Sequence, residues 1–69
     1  MAINRQAGVL LRPVEFKWLG KPIRSTKQPG TRVTYYRHPM QPGVFVVELP
    51  GRWFATLPAV DVPTHIEEA

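Results

Sequence analysis

The chain has 69 residues, a formal net charge of +4, eight prolines and no cysteine. A chain this short forms one domain and buries only about 60% of its unfolded surface, and the lack of cysteine excludes disulfides and Cys-ligated zinc. The prolines are too closely spaced for a long helix, and no apolar run approaches the ~18 residues of a membrane span. We expect a β-rich cytoplasmic protein with no metal, no cofactor and no membrane contact.

The charge is distributed unevenly. Residues 1–60 contain all nine basic residues against only Glu15 and Glu48, whereas residues 61–69 contain three acidic residues and no basic one. A basic body of this size favours a polyanion or an acidic protein surface as partner. The simpler alternative is that net charge keeps a small protein dispersed.

Residues 1–7 show no hydrophobic periodicity and are expected to form a flexible lead-in to a single β-barrel domain over residues 8–63. Residues 64–69 are expected to be an acidic tail. Thr64 and Glu67 match a capping box, which predicts a single helical turn or a frayed end, because so short a helix cannot offset its nucleation cost.

The first strand region covers residues 8–19. Val14, Phe16 and Trp18 alternate with charged residues, the period of two expected for a strand with one buried face. Pro13 cannot donate a hydrogen bond to a neighbouring strand. The region is therefore expected to lie at a sheet edge or to be split at Pro13.

A basic loop is predicted over residues 20–30 and the next strand over residues 31–38, and aromatic side chains are interleaved with the cations. Cations neutralise phosphates and exposed rings stack on bases. The pattern predicts a nucleic-acid surface on neighbouring strands of a meander, formed by Lys17, Lys21, Arg24, Lys27, Arg32, Tyr36 and Arg37. In the alternative interpretation Trp18 and Tyr35 belong to the core and the lysines are simply solvated.

Residues 44–60 are predicted to form a β-hairpin around Pro50-Gly51, a pair suited to the centre of a type II turn. A two-residue turn would place Val47 opposite Phe54 and leave both faces apolar. One face can fill a barrel. The second apolar face predicts either further barrel interior or a protein interface, which includes the interface of a homodimer. An interface is plausible because Trp and Arg dominate binding hot spots. The predicted interface residues are Trp53, Arg52, Val44 and Val46.

Five short strands with Pro/Gly turns predict an all-β fold, a small five-stranded barrel. Residues 57–62 resemble the end of SH3-like barrels, in which a short 3₁₀ turn precedes the last strand. Gly20-Lys21-Pro22 and residues 42–49 are similar to segments of the OB-fold single-stranded DNA-binding proteins of filamentous phages. The resemblances imply an SH3-like or OB-like barrel.

No catalytic motif is present, because Ser25 has no nucleophile setting and the five glycines all lie at expected turns. We expect a non-enzymatic accessory or regulatory protein, of the phage or plasmid type, that binds single-stranded nucleic acid or its backbone. The alternative is a protein-binding module or inhibitor that docks on an acidic or nucleic-acid-binding site of another protein.

Overall fold

Among the described residues, seven strands form one antiparallel sheet that curls around the core. The computed structural model describes residues 3–69, and the sheet order is β3-β2-β6-β5-β4-β1-β7. The strands are β1 (Gln6–Leu10), β2 (Val14–Trp18), β3 (Arg24–Lys27), β4 (Arg32–Arg37), β5 (Val44–Glu48), β6 (Trp53–Pro58) and β7 (Ile66–Glu68). The all-β prediction is confirmed, whereas the predicted number of five strands is wrong.

Two strands lie where the sequence predicts none. β3 falls in the predicted basic loop and pairs with β2, and β7 falls in the predicted tail and pairs with β1. β1 also begins at Gln6, inside the predicted lead-in. These segments carry little apolar alternation of their own, so the neighbouring strand, through backbone hydrogen bonds, holds them extended.

The break at Pro13 separates β1 from β2, as the sequence predicts. Around the break, the Leu10 amide donates to the Thr31 carbonyl at 2.9 Å, and the Leu11 amide donates to the His65 carbonyl at 2.7 Å. The bent chain therefore contributes β1 to one side of the curl and β2 to the other.

The β5–β6 hairpin has a register one residue away from the predicted one. Its loop contains three residues, because the Leu49 amide donates to the Trp53 carbonyl at 3.2 Å and Val47 lies opposite Ala55. Gly51 adopts φ +92°, as a loop glycine can at no steric cost. The shift turns Trp53 toward the concave face and Phe54 toward the convex face.

The core fills the concave side of the sheet. Phe16, Leu10 and Val47 are its largest fully buried side chains. Alternation along each strand directs these side chains inward and leaves the convex face for polar and partly buried residues. The remaining buried members are Val14, Val33, Tyr35, Ala55, Val62 and Ile66.

A short helical connection joins β6 to β7. It consists of a 3₁₀ turn, η1 (Ala59–Asp61), followed by a single α-helical turn, α1 (Val62–His65). The single turn is confirmed, but the predicted capping box is wrong, because the helical turn begins at Val62 and Thr64 lies inside it. Within residues 3–69 no helix has the length and apolarity needed to span a bilayer.

Candidate nucleic-acid interface

The β2–β3 hairpin carries a cluster of four cations at one edge of the sheet. β3 is the outermost strand, and the register places Lys17 directly opposite Arg24. Lys21 lies in the connecting turn and Lys27 at the end of β3. We call Lys17, Lys21, Arg24 and Lys27 the basic edge. Its neighbouring acid, Glu15, is 3.5 Å from Arg24 in an exposed pair that contributes little stability and leaves the cluster basic.

Two half-buried tryptophans adjoin the basic edge. Trp18 on β2 lies opposite Trp53 on β6, and their rings meet edge to face with centroids 5.1 Å apart. We call them the aromatic pair. Lys27 Nζ lies 5.6 Å from the Trp53 ring centroid, within cation–π range. Lys27 therefore connects the basic edge to the aromatic pair on the concave face, whereas Lys17 and Arg24 lie around the edge on the convex face.

The structure brings together residues that the sequence assigns to two different sites. The Leu19 amide donates to the Arg52 carbonyl at 2.9 Å, which holds Arg52 beside the β2–β3 turn. Arg52 and Trp53 therefore lie beside the basic edge. Val44 and Val46 lie instead on the convex face of β5, and Val46 is only 8% exposed. The one-residue shift in hairpin register therefore places Val44 and Val46 on a different face from Trp53.

A cleft of about 380 Å³ extends from this end of the sheet across its convex face. Apolar side chains form most of its wall, and polar side chains also line it. The residues that line it include Leu19, Tyr36, Val46, Glu48, Arg52 and Phe54. Its size and mixed lining suit a flat ring with polar edges.

The other predicted nucleic-acid residues lie away from the basic edge. Arg32, Tyr36 and Arg37 are on β4, and β6 and β5 separate β4 from β2 in the sheet. The Arg37 guanidinium stacks 5.1 Å from the centre of the Phe45 ring. The expectation that these strands are neighbours in a meander is wrong, because β5 and β6 lie between them.

Tyr36 is enclosed in a polar cluster on the convex face. Its hydroxyl donates to Glu48 Oε2 at 3.0 Å, and the Arg5 guanidinium covers its ring at 4.9 Å. Arg5 Nε also approaches Glu48 Oε1 at 3.5 Å. With only 9% of its surface exposed, Tyr36 stabilises the sheet and has little ring surface for stacking on a base.

The two buried tyrosines predict a loss of stability at alkaline pH. Burial is the main cause that raises the pKa of Tyr36 above its usual value of 10.0, followed by the hydrogen bond to Glu48 and the negative charge of Glu48, whereas Arg5 lowers it. Burial, followed by the negative charge of Glu68, raises the pKa of Tyr35 above the same value. The folded state therefore favours both neutral phenols. The contribution of the two raised pKa values to the free energy of unfolding is complete below about pH 10, and it is lost as the pH rises through the folded-state pKa values.

Urea unfolding at pH 8 and above about pH 10 checks this prediction. Tyr36→Phe should lower stability at pH 8 by about 1 kcal/mol, the value of one hydrogen bond. The same variant should lose less stability than the native chain on going to alkaline pH. An unchanged pH dependence in both Tyr36→Phe and Tyr35→Phe would contradict the prediction.

No family model, curated protein or solved structure matches this chain.

Both histidines hold their own local backbone. His38 Nδ1 accepts hydrogen bonds from the Met40 and Gln41 amides at 3.0 and 3.1 Å, and His65 Nδ1 donates to the Asp61 carbonyl at 2.9 Å. Among residues 3–69, no three His, Cys, Asp or Glu side chains are grouped so as to hold a metal ion.

Proposed function

We propose that the protein binds nucleic acid through the basic edge and the aromatic pair, as a non-enzymatic accessory or regulatory protein. The observation that carries the proposal is the position of the Lys27 ammonium 5.6 Å from Trp53, whose ring packs on Trp18 in the strand that also carries Lys17. Cations beside partly exposed rings suit a ligand that alternates phosphates with flat bases.

The contacts favour a single strand with little base selectivity. Lysine ammonium groups on an exposed hairpin can follow a flexible phosphate backbone, and a half-exposed indole can stack on any base. The adjoining cleft offers room for one unstacked ring. A duplex offers the same phosphates but keeps its bases stacked on each other, so it should bind more weakly.

Fluorescence anisotropy with labelled single-stranded and duplex oligonucleotides tests the proposal. Affinity for the single strand should fall as salt rises, with a log–log slope of about −3 when all four cations contact phosphates. The chain's two tryptophans are the aromatic pair, so quenching of intrinsic fluorescence on binding would report ring contact directly. No association with either oligonucleotide at high micromolar protein would refute the proposal.

Charge-matched variants locate the surface. Lys17→Gln/Lys21→Gln/Lys27→Gln removes three charges from the basic edge, and we expect the single-strand salt slope to shrink by about 0.7 for each lysine, to about −0.7. The control, Arg12→Gln/Arg32→Gln/Arg37→Gln, removes three charges elsewhere and should retain most of the affinity. Equal losses in both variants would mean that net charge, and no particular surface, drives binding.

The fold that accompanies this proposal is an SH3-like barrel in preference to an OB-like one. It is supported by the 3₁₀ turn at Ala59–Asp61 shortly before the last strand and by the pairing of that strand with β1. Fold alone does not assign function, so the proposal rests on the basic edge and the aromatic pair.

A second candidate function is a protein-binding module or inhibitor that docks on an acidic surface. It is favoured by the apolar part of the cleft, where Leu19 is 60% exposed, and by Arg52, which also lines the cleft. A protein partner that survives both nuclease treatment and high salt in a pull-down would support this function. Trp53→Ala does not separate the two candidates, because Trp53 adjoins both surfaces.

A further inference from the structure

The two free edges of the sheet carry opposite charge. β3 ends the sheet on one side with Arg24 and Lys27, and β7 ends it on the other with Glu67 and Glu68. Among the described residues, each of these two strands forms backbone hydrogen bonds with only one neighbouring strand. An unpaired strand edge is a template for another strand, and charge decides which strand it accepts.

Backbone groups at both edges are directed outward. The Trp18 amide donates to the Ile23 carbonyl, so the alternation of an antiparallel ladder turns the N–H and C=O groups of Arg24 and Thr26 away from β2. The Ala69 amide donates to the Ala7 carbonyl, which by the same alternation turns the backbone groups of Glu68 away from β1. Each edge can therefore extend the sheet.

The faces of the two edges also match. Between β3 and β7 the sheet contains six neighbouring strand pairs, all antiparallel. Because the direction reverses an even number of times, β3 and β7 run in the same direction. A second copy displaced along the sheet would bring its β7 alongside β3 in parallel, with convex face beside convex face. The registers place Arg24 and Glu67 on the convex face, and Lys27 and Glu68 on the concave face. With Arg24 directly opposite Glu67, Glu68 lies opposite Ser25 and two residues from Lys27, so opposite charges are direct neighbours on the convex face and diagonal neighbours on the concave face.

We propose that this chain associates head to tail with copies of itself, β7 of one copy pairing in parallel with β3 of the next. Such a contact is heterologous, so it leaves a free edge at each end and adds further copies. The strands contribute only four and three residues. The association is therefore weak, depends on concentration and is suppressed by salt, because its charge pairs are exposed.

Sedimentation velocity on the full chain, without nucleic acid, tests the proposal. From micromolar to millimolar protein at low salt, about 20 mM, the average mass should rise from the 7.9 kDa monomer to at least twice that value. At about 500 mM salt it should return to the monomer mass. A native chain that stays monomeric over the whole range at low salt would overturn the proposal.

Charge reversal gives the sharper test. Arg24→Glu/Lys27→Glu makes both edges acidic, and Glu67→Lys/Glu68→Lys makes both basic, so each variant alone should remain monomeric. An equimolar mixture should associate again, because each acidic edge then meets a basic one. Association of either variant alone, or a monomeric mixture, would contradict head-to-tail pairing.

The matched control is Arg32→Glu/Arg37→Glu, which changes the net charge as much as the β3 variant does. Its substitutions lie on β4, inside the sheet, and both edges keep their charge. This variant should associate like the native chain. Loss of association in the control would assign the effect to net charge and overturn the edge-pairing proposal.

Discussion

Replacing Phe16 with alanine is expected to leave most of the chain unfolded at room temperature. Phe16 is 0% exposed and is the largest fully buried side chain of the core. Truncation of a buried phenylalanine costs about 3–5 kcal/mol. A single core in a domain of this size rarely supplies more than about 3–5 kcal/mol, so the loss consumes nearly all of the stability.

Circular dichroism and urea unfolding measure this effect. The control is Phe54→Ala, which removes the same side chain from the convex face, where Phe54 is only partly buried. That variant should fold and lose clearly less stability. A cooperative unfolding transition of Phe16→Ala close to that of the native chain would show that Phe16 is not central to the core.

The second large effect is expected at Gly8, where even a methyl group has no room. A Cβ built there would lie 2.6 Å from Ile66 Cγ2, 2.8 Å from Tyr35 Cε1 and 3.1 Å from the Glu67 carbonyl oxygen. Overpacking of this kind costs about 1–3 kcal/mol. Because one neighbour is backbone, Gly8→Ala should also push β7 away from β1.

Urea unfolding and amide hydrogen exchange together check the Gly8→Ala prediction. The variant should lose stability, and the Ala69 amide, which donates to the Ala7 carbonyl across the β1–β7 pair, should exchange faster than in the native chain. Ala7→Val, at the exposed neighbouring position, is the control and should change both quantities little. Native-like stability of Gly8→Ala would show that β7 adjusts without cost.

The sequence predicts the parts of the fold that carry a strong local signal. The alternation of Val14 and Phe16 identifies β2 and its buried face, and Pro13 identifies the break before it. The sequence also predicts the two hairpin strands. It does not determine their register, because Pro50-Gly51 is compatible with either a two- or a three-residue loop, and only the packing of Trp53 and Ala55 on the core distinguishes them.

The sequence does not predict β3 and β7, nor the separation of the predicted nucleic-acid residues into two groups, because both depend on how strands pair in the folded sheet. β3, with the sequence Arg-Ser-Thr-Lys, and β7, with Ile-Glu-Glu, lack the alternation that marks a strand, and tertiary pairing alone defines them. Composition marks the basic residues of β2 and β3 as candidates. It cannot predict their separation from Arg32 and Arg37, because the order of strands in a sheet differs from their order in the sequence.

The pairing of β1 with both β4 and β7 determines how quickly the chain can fold. Gly8 meets Val33 on one side and Glu68 on the other, so the first strand is completed only after almost the whole polypeptide has been brought back to it. Loop closure over such distances must precede the favourable contacts. We therefore expect folding in milliseconds to seconds, as for other folds dominated by non-local pairing, with the β5–β6 hairpin forming well before β1 is enclosed.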